Sequence, residues 1–549
     1  MNKPDISKIN VVILAAGRGT RIKKIALNTP KALVDIAGTP ALVLIMRRLI
    51  KQGFRNFSLV VSKENKEKIE NVINNAFGGI DIDLKTGIQP KPNGPAHAFF
   101  YGLKKVDLKN DTLLCLSDTL FDEDLPIGYD WIGTSIAKGV GKWCWVATKN
   151  KKVVSFVDKV KPPKYVKEVL MGLYYFKDSR FVYRELSKII QKDLRIAESE
   201  FQLSQILVLY KDKHNIRPVI IKSWVDCGTE ENYFNAQKVF INHRHFNSVI
   251  VKNENSNRYV IKKGNKDKIQ NEIKWFNLVS KQNREIVPMV EQINRDSYRM
   301  NFINDSLLSS IYLYNPGSVE AFLKTIKKLY SFTNKNLWRS DIKYSNMNIE
   351  NDCIEMYERK PFNRLAKWSL WADFRKSKLV KINSKNFNNI YNLFGKALSL
   401  SSVKNHKPIK RLIHGDFHFS NIFYDKSRQS FILIDPRGRF GNSDNMIGDV
   451  YYDIAKLRHS YHGMYDAIID GLYTLKRKSK NDFIFNIGPD RNQYIKAIDR
   501  FILSQGFDMN RIKSTELGIL LSLIPLHRES ADNQLAFFLQ AIILAQELV

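Results

Sequence analysis

A chain of 549 residues with 44% hydrophobic and 11% aromatic residues is too long for one core and too apolar to be disordered, so about two to four globular domains are expected. The formal net charge of +32 favours polyanionic partners. The lysines are nevertheless scattered, as in KVDLKNDT, KNKKVV and KRKSKND, with no basic stripe interleaved with aromatics; nucleic acid is not the expected partner, and sites for polyphosphate use the charge more simply.

In chain order, residues 12–31 read VILAAGRGTRIKKIALNTPK. A buried strand over residues 11–14 runs into Ala15, Ala16, Gly17 and Gly19, then Thr20, Arg21 and the triplet Thr29-Pro30-Lys31. Small residues let backbone N–H groups approach phosphate oxygens, and Arg21 and Lys31 neutralise charge that a loop alone cannot. Two such glycines by themselves mark an ordinary turn; the conjunction points to a nucleoside triphosphate. The segment ALVDIAGTPALVLIMRRLIKQGF predicts a short strand, a turn at Gly38-Thr39-Pro40 and a helix burying Leu42, Ile45, Leu49 and Ile50, and NFSLVVS predicts a second parallel strand. Strands alternating with helices argue for a doubly wound α/β sheet, with ligands at the carboxyl ends of its strands.

GIQPKPNGPAHAFFYGL then carries Gln89 and Gly94 ahead of a helix starting near Ala96. TLLCLSDTLF places Asp118 at a strand tip, and SWVDCGTEENYFNAQ places Asp226 after another strand. Two separated carboxylates converging on polyphosphate suit Mg2+, a hard cation that keeps water and takes only one or two carboxylates.

The run LAAGxGTR followed by Pro-Lys resembles the signature of the sugar-nucleotide and phosphoalcohol nucleotidyltransferases. That resemblance implies an N-terminal Rossmann-like domain with a mixed, mainly parallel sheet over residues 1–243. It also implies that residues Ala15, Ala16, Gly17, Gly19 and Thr20 cradle the nucleotide and that Arg21 and Lys31 are catalytic. Gln89 and the turn at Gly94 then read the nucleobase, a polar loop before a helix being the plainer alternative. Asp118 and Asp226 are the implied Mg2+ ligands. VVSFVDKVKPPKY and VLMGLYYF resemble the family's substrate-side strands, with Lys159 on the acceptor's phosphate and Gly172 allowing close approach; Asp158-Lys159 stands where the family has Glu-Lys. An acceptor phosphate would attack the α-phosphorus in line and expel pyrophosphate, with no side-chain nucleophile. Sugar pyrophosphorylases have Arg-Leu-x-Pro after the glycine loop, whereas this chain has Arg21-Ile22-Lys23-Lys24; it looks more like the cytidylyltransferases of small phosphates, which makes CTP the expected nucleotide.

From residue 244 to 549 the character changes. HFNSVIVKNENSNRYVIKKG is a hairpin pattern, followed by a helix that can turn Glu272 toward the sheet. RLIHGDFHFSNIFYDKSRQSFILIDPRG contains His414-Gly415-Asp416, then Asn421, then Asp435 at the end of a strand pair. This set resembles the aminoglycoside phosphotransferase and choline kinase superfamily, implying a protein-kinase-like α+β domain that uses ATP. By the resemblance Asp416 accepts or orients the proton of the acceptor hydroxyl, Asn421 and Asp435 hold Mg2+, and Lys262, with Lys263 as the neighbouring candidate, grips phosphates while Glu272 orients it. His414 and His418 read as structural. In GDVYYDIAKLRHS, Asp453 resembles the residue that braces the catalytic loop, and Asp449 reads equally as a helix cap. Arg437 departs from choline kinases, which carry an acidic residue there.

Cys115, Cys144, Cys227 and Cys353 form no CxxC or Cys/His cluster, so neither a zinc site nor a disulfide framework is expected, and a reduced cytoplasmic setting fits. The start lacks a signal-peptide core, and the apolar segments 517–526 and 535–548 are too short and too interrupted to span a bilayer. The expectation is thus a bifunctional enzyme. Its second domain phosphorylates a small alcohol, sugar or polyol with ATP, and its first converts the phosphomonoester to a nucleoside-diphosphate precursor for surface glycan or lipid decoration. The alternative is a hexose-1-phosphate nucleotidyltransferase using UTP, dTTP or GTP, fused to a kinase with an unrelated substrate.

Overall fold

The apolar runs of the first half become strands that are buried on both faces. The computed structural model describes residues 4–17, 19, 22, 29–136, 143–158, 166, 168–196, 200–241, 248–254, 257–339, 349–443 and 446–549. Its contacts divide the chain into two units, Met1–Ile73 with Asp81–Phe240, and Asn74–Ile80 with Ile241–Val549.

In the first unit β1 (Asn10–Leu14) runs parallel to β2 (Asn56–Ser62), which runs parallel to β3 (Asp83–Gln89). On its other side β1 runs parallel to β4 (Thr112–Leu116), with Leu14 opposite both Val60 and Leu116. Val11, Val12 and Ile13 are fully buried, as the continuous apolar run of a covered parallel strand requires. The helix α1 (Ala41–Gln52) buries Leu42, Ile45 and Leu49 and ends at Gly53 in the left-handed conformation; Ile50 is only half buried. A second helix, α2 (Pro95–Leu103), lies on β1 and β2 through Gly102, where a side chain would overlap Val12.

After β4 come the short strand β5 (Thr119–Leu120), then β6 (Trp131–Ile136), β7 (Cys144–Lys149), β8 (Lys152–Asp158), β9 (Glu168–Phe176), β10 (Arg217–Ile220) and the short β11 (Val225–Asp226). β9 packs antiparallel on β4, so the sheet is mixed, in the order β8-β7-β9-β4-β1-β2-β3, with β6 on β9 and β10 on β6. β5 and β11 pair antiparallel, Thr119 opposite Asp226. That small ladder places both carboxylate-bearing turns at the carboxyl end of β4.

The second unit opens with an antiparallel sheet of β12 (Ser248–Glu254), β13 (Asn257–Lys263), β14 (Val290–Asn294) and β15 (Ser297–Asn301), in the order β12-β13-β15-β14. α3 (Lys266–Gln282), capped by Asn265, follows β13. Further on lie α4 (Lys360–Leu365), β16 (Lys410–Leu412), the hairpin of β17 (Ile422–Asp425) with β18 (Ser430–Leu433), β19 (Ile447–Asp449) and α5 (Val450–Tyr461). β16 pairs with β19, so the strand that enters the His-Gly-Asp turn is anchored to the segment that leads into α5. A helical core around Trp368, Trp371, Phe374, Phe394 and Phe538 includes α6 (Met509–Leu523) and α7 (Ala531–Gln546). Among the described residues no helix is long and apolar enough to cross a membrane.

Candidate active sites

In the first unit Pro30 leads into a single tight turn, Lys31–Leu33, in which Ala32 and Leu33 are buried and anchor the backbone. The Lys31 ammonium donates to Asp118 Oδ2. The Cys227 N–H donates to the Asp118 carbonyl at 3.1 Å. Asp226 accepts from the Asn232 side-chain amide and from the Gly228 N–H at 3.1 Å. A Cβ at Gly228 would lie 2.9 Å from Asp118 Oδ2, 3.0 Å from Asp226 Oδ1 and 3.2 Å from Lys31 Nζ. The three charged groups therefore converge on one small space that glycine leaves open. Burial first, and then the Asp118 charge, raises the Asp226 carboxyl above its ordinary range. A second carboxylate held against the first in a partly buried place is costly unless a cation is shared. Two carboxylates sharing one space, with room for phosphate oxygens, fit Mg2+.

Around this centre, Ala15 and Ala16 are buried, and the Ala15 N–H donates to the Val60 carbonyl at 2.7 Å, so that amide belongs to the sheet. Among the described residues nothing lies within 4 Å of a Cβ at Gly17. Gly19 is left-handed, with φ 65°, and a Cβ there would be 3.1 Å from Lys31 Cβ, so the glycine loop and the lysine pack directly together. Thr20, Arg21 and Lys159 lie outside the described residues. Gln89 is 6% exposed; its amide nitrogen donates to the Gly94 carbonyl at 3.0 Å and meets His97 Nδ1 at 3.2 Å. A Cβ at Gly94 would come 2.6 Å from the Phe201 carbonyl. Gln89 and Gly94 thus hold a loop against residue 201. Gly172, with φ 93°, makes room for Thr119, whose Oγ1 would lie 2.6 Å from a Cβ there and donates to the Met171 carbonyl at 2.6 Å. Its missing side chain supports the turn that carries Asp118.

In the second unit strand alternation leaves Lys262 and Lys263 as rivals; the fold decides, with side-chain exposures of 2% and 65% respectively. Lys262 Nζ lies 2.8 Å from Glu272 Oε2 and 2.9 Å from Asp435 Oδ1, and the Tyr298 hydroxyl donates to the same Glu272 oxygen at 2.9 Å. Burial alone would drive the Lys262 ammonium down; Asp435 and Glu272 outweigh it and raise it above its ordinary value. Burial likewise acts upward on Asp435, but Lys262 overrides it and holds the carboxyl low. Asp435 sits in the left-handed region at φ 55°, strain of the kind that persists where neighbours over-determine a functional residue.

The His-Gly-Asp turn is braced by Asp453 on α5, which accepts the His414 and Gly415 N–H groups at 2.8 Å each and the Trp338 indole at 3.1 Å. Burial is the largest cause raising the Asp453 carboxyl to about 6. His414 is fully buried, with Nε2 2.9 Å from the Ile434 carbonyl, and burial pushes its imidazole down to about 4. It is a neutral loop-holder, and Asp449 caps α5 by accepting the Tyr451 N–H.

Asp416 faces Lys456 Nζ at 2.9 Å and His418 Nε2 at 3.5 Å. Burial works to raise its carboxyl, yet Lys456 and His418 prevail and keep it well below the usual range, so it is a carboxylate at neutral pH. The Asn421 amide donates to the Asp416 carbonyl at 2.9 Å and to Oδ2 at 3.3 Å. Its backbone carbonyl accepts the Ile434 N–H at 3.0 Å, which lays Asp435 beside it. An amide and a carboxylate brought together in this way fit Mg2+ on a nucleotide. Asn232, Tyr298 and Lys456 escaped the motif reading, whereas Gly228 lies inside the WVDCGT run that singled out Asp226. Lys456 also left a trace in the sequence, three residues after Asp453 and so on the same helical face.

A family profile described as Nucleotidyl transferase matches residues 10–127. The D-glycero-alpha-D-manno-heptose 1-phosphate guanylyltransferase of Campylobacter jejuni is 37% identical over 236 residues, 41% of this chain and 97% of that protein. The bifunctional protein GlmU of Buchnera aphidicola is 26% identical over 265 residues, 45% of this chain; the match spans 55% of that relative, about half its length. Among solved structures, the inositol-1-phosphate CTP transferase from T. maritima aligns at 16% identity and a TM-score of 0.36, over 44% of this chain and 99% of that one.

Proposed function

Since the chain belongs, through its first unit, to the nucleotidyl transferase family, we propose that this unit transfers a nucleotidyl group to a phosphomonoester that the second unit makes from a small alcohol, sugar or polyol with ATP. The observation that carries the transferase reading is the convergence of Lys31, Asp118 and Asp226 on the space beside Gly228. An acceptor phosphate oxygen bonds to the α-phosphorus as the bond to pyrophosphate breaks. Lys31, with Arg21, stabilises the charge that develops. Asp118 and Asp226 hold Mg2+, which when bound supplies further neutralisation of the triphosphate.

In the second unit Lys262, held by Glu272, grips the ATP phosphates, while Asn421 and Asp435 hold Mg2+. Asp416 orients the acceptor hydroxyl and takes its proton. A kinase yields a phosphomonoester and a nucleotidyltransferase consumes one, which supports consecutive steps toward an activated precursor for surface glycan or lipid decoration.

The run Arg21-Ile22-Lys23-Lys24 supports CTP as the nucleotide. A second reading, GTP with a sugar 1-phosphate, is favoured by the relative named as a heptose 1-phosphate guanylyltransferase, nearly all of which aligns with this chain.

The test incubates the full chain with ATP, each of CTP, GTP, UTP and dTTP, and a panel of alcohols and sugars, following ADP and pyrophosphate. Asp416→Asn is expected to lower ADP formation by about 10²- to 10⁴-fold while pyrophosphate release from a supplied phosphomonoester persists. Asp118→Asn is expected to do the reverse. Conversion of the free alcohol at the parent rate in Asp416→Asn would overturn the coupled scheme.

A further inference from the structure

Beside Asp416 the second unit gathers cations that the phosphoryl-transfer roles above do not use. Lys360 and Arg364 stand four residues apart on α4, a spacing at which like charges repel. Arg437 is bound into the catalytic turn: its N–H donates to the His414 carbonyl at 2.9 Å, and a Cβ at Gly415 would lie 2.8 Å from Arg437 Cβ. Its guanidinium reaches the Tyr452 hydroxyl at 3.4 Å, and Lys456 on the same helix holds Asp416. The ring of Tyr357, three residues before Lys360, lies 6.4 Å from that of Tyr452, so α4 starts next to the tyrosine that Arg437 reaches; the Lys360 ammonium finds Met356 Sδ at 3.3 Å, and Arg364 donates to the Ser522 carbonyl at 3.4 Å.

Among the described residues no carboxylate lies within ion-pair distance of Lys360, Arg364 or Arg437. Burial, then Arg437, Arg364 and Lys456, push the Lys360 ammonium well below its ordinary range, and the carboxylate opposing them is Asp416. Burial and then Arg437 likewise lower Arg364. Three mutually repelling, partly desolvated cations are stabilised together by one oxyanion. The ATP phosphates have their own cation in Lys262, which pairs with Asp435. The residue common to the cation group and to catalysis is Asp416, the one that must touch the attacking hydroxyl.

We infer that the acceptor of the second unit is an anionic alcohol, whose carboxylate or phosphate sits on Lys360, Arg364 and Arg437 while its hydroxyl meets Asp416. The inference rests on the kinase reading of this unit. The hydroxyl oxygen bonds to the γ-phosphorus of ATP, the bond to ADP breaks, and the hydroxyl proton passes through Asp416 to solvent. The product then carries two anionic groups, one for the nucleotidyl transfer and one recognised by this pocket.

The test has two arms on the full chain. In the first, ADP formation is compared for glycerol, D-glycerate, glycerol 3-phosphate, glucose, gluconate, glucose 6-phosphate and choline. An anionic acceptor should exceed its neutral parent by about 100-fold in kcat/KM, and the glycerate and phosphate arms show which oxyanion the pocket takes. Arg364→Gln and Arg437→Gln should each raise KM for that anion about tenfold or more with a much smaller change in kcat; Arg437→Lys, which keeps the charge, should recover part of the loss. Neutral or cationic acceptors used as well as the anions would overturn the inference.

In the second arm, calorimetry measures binding of glycerol, D-glycerate and glycerol 3-phosphate with AMP-PNP and Mg2+ present. Anion binding that Arg364→Gln and Arg437→Gln abolish, without ADP formation from any acceptor, sinks the kinase reading and leaves the anion pocket standing. Turnover of neutral alcohols without anion binding does the opposite.

Discussion

A methyl group at Gly228 would contact both carboxylates and the ammonium at once, so Gly228→Ala should lower pyrophosphate release by about 100-fold, on the scale of losing one charge-stabilising contact. The thermal midpoint should stay within a few degrees of the parent, since the space is not core; an active variant would mean the charges do not work together there. In the second unit two buried groups pull stability in opposite directions with pH. Asp453 is raised to about 6, so its contribution is full below 3.8 and lost as pH rises through 6. His414 is lowered to about 4, so its contribution is present above 6.5 and lost as pH falls through 4. Asp453→Asn removes the first slope and leaves the second. Its urea midpoint, read by tryptophan fluorescence, should therefore climb more between about pH 4 and 6 than the parent's; parallel profiles would refute the assignment.

At the level of elements, each site hangs on short pairings rather than on the long strands. Thr119 opposite Asp226 in the β5–β11 ladder, and β16 against β19, aim the acidic turns. α2 packs on β1 and β2 through Gly102, where an added Cβ would overlap Val12 and lie 2.8 Å from Val60 Cγ2. Gly102→Ala should thus cost about 1–3 kcal/mol by overpacking, visible as a lower urea midpoint, and should weaken transfer by displacing β1. An unchanged midpoint would show that α2 can shift freely. These ladders of two and three residue pairs were invisible in the sequence, because so short a run carries no periodicity, whereas β1, β2 and α1 were legible from their apolar spacing. Gln89, Gly94 and Gly172 were chosen by resemblance; the packing of Gly94 on Phe201 and of Gly172 on Thr119 could not be read from the sequence, because those partners are remote in the chain.

For the molecule as a whole, consecutive chemistry makes a prediction that neither site makes alone. A mixture of Asp416→Asn and Asp118→Asn chains should release pyrophosphate from free alcohol, ATP and the second nucleotide, because each variant keeps the site the other lacks. Either variant by itself should not. EDTA should abolish both ADP and pyrophosphate formation, and excess Mg2+ should restore both; a metal-independent half-reaction would remove the metal from that site. The charge of +32 finds a local use in cations such as Lys31 and Lys262, which stand beside acidic partners, and in Lys360, Arg364 and Arg437, which have no ion-pair partner among the described residues.

What the sequence offered by itself was a set of candidates: the small-residue loop with Lys31, the strand-tip Asp118 and Asp226, and the spaced His414, Asp416, Asn421 and Asp435 stand out by residue type, spacing and resemblance to known families. Which of two adjacent lysines faces Glu272, that Lys31, Asp118 and Asp226 share the space beside Gly228, and that Arg437 packs on the turn carrying Asp416 were decided only by the tertiary structure. The reason is physical. A motif encodes local conformation, while charge convergence is a property of distances between segments far apart in the chain, set when sheets and helices pack and desolvate them together.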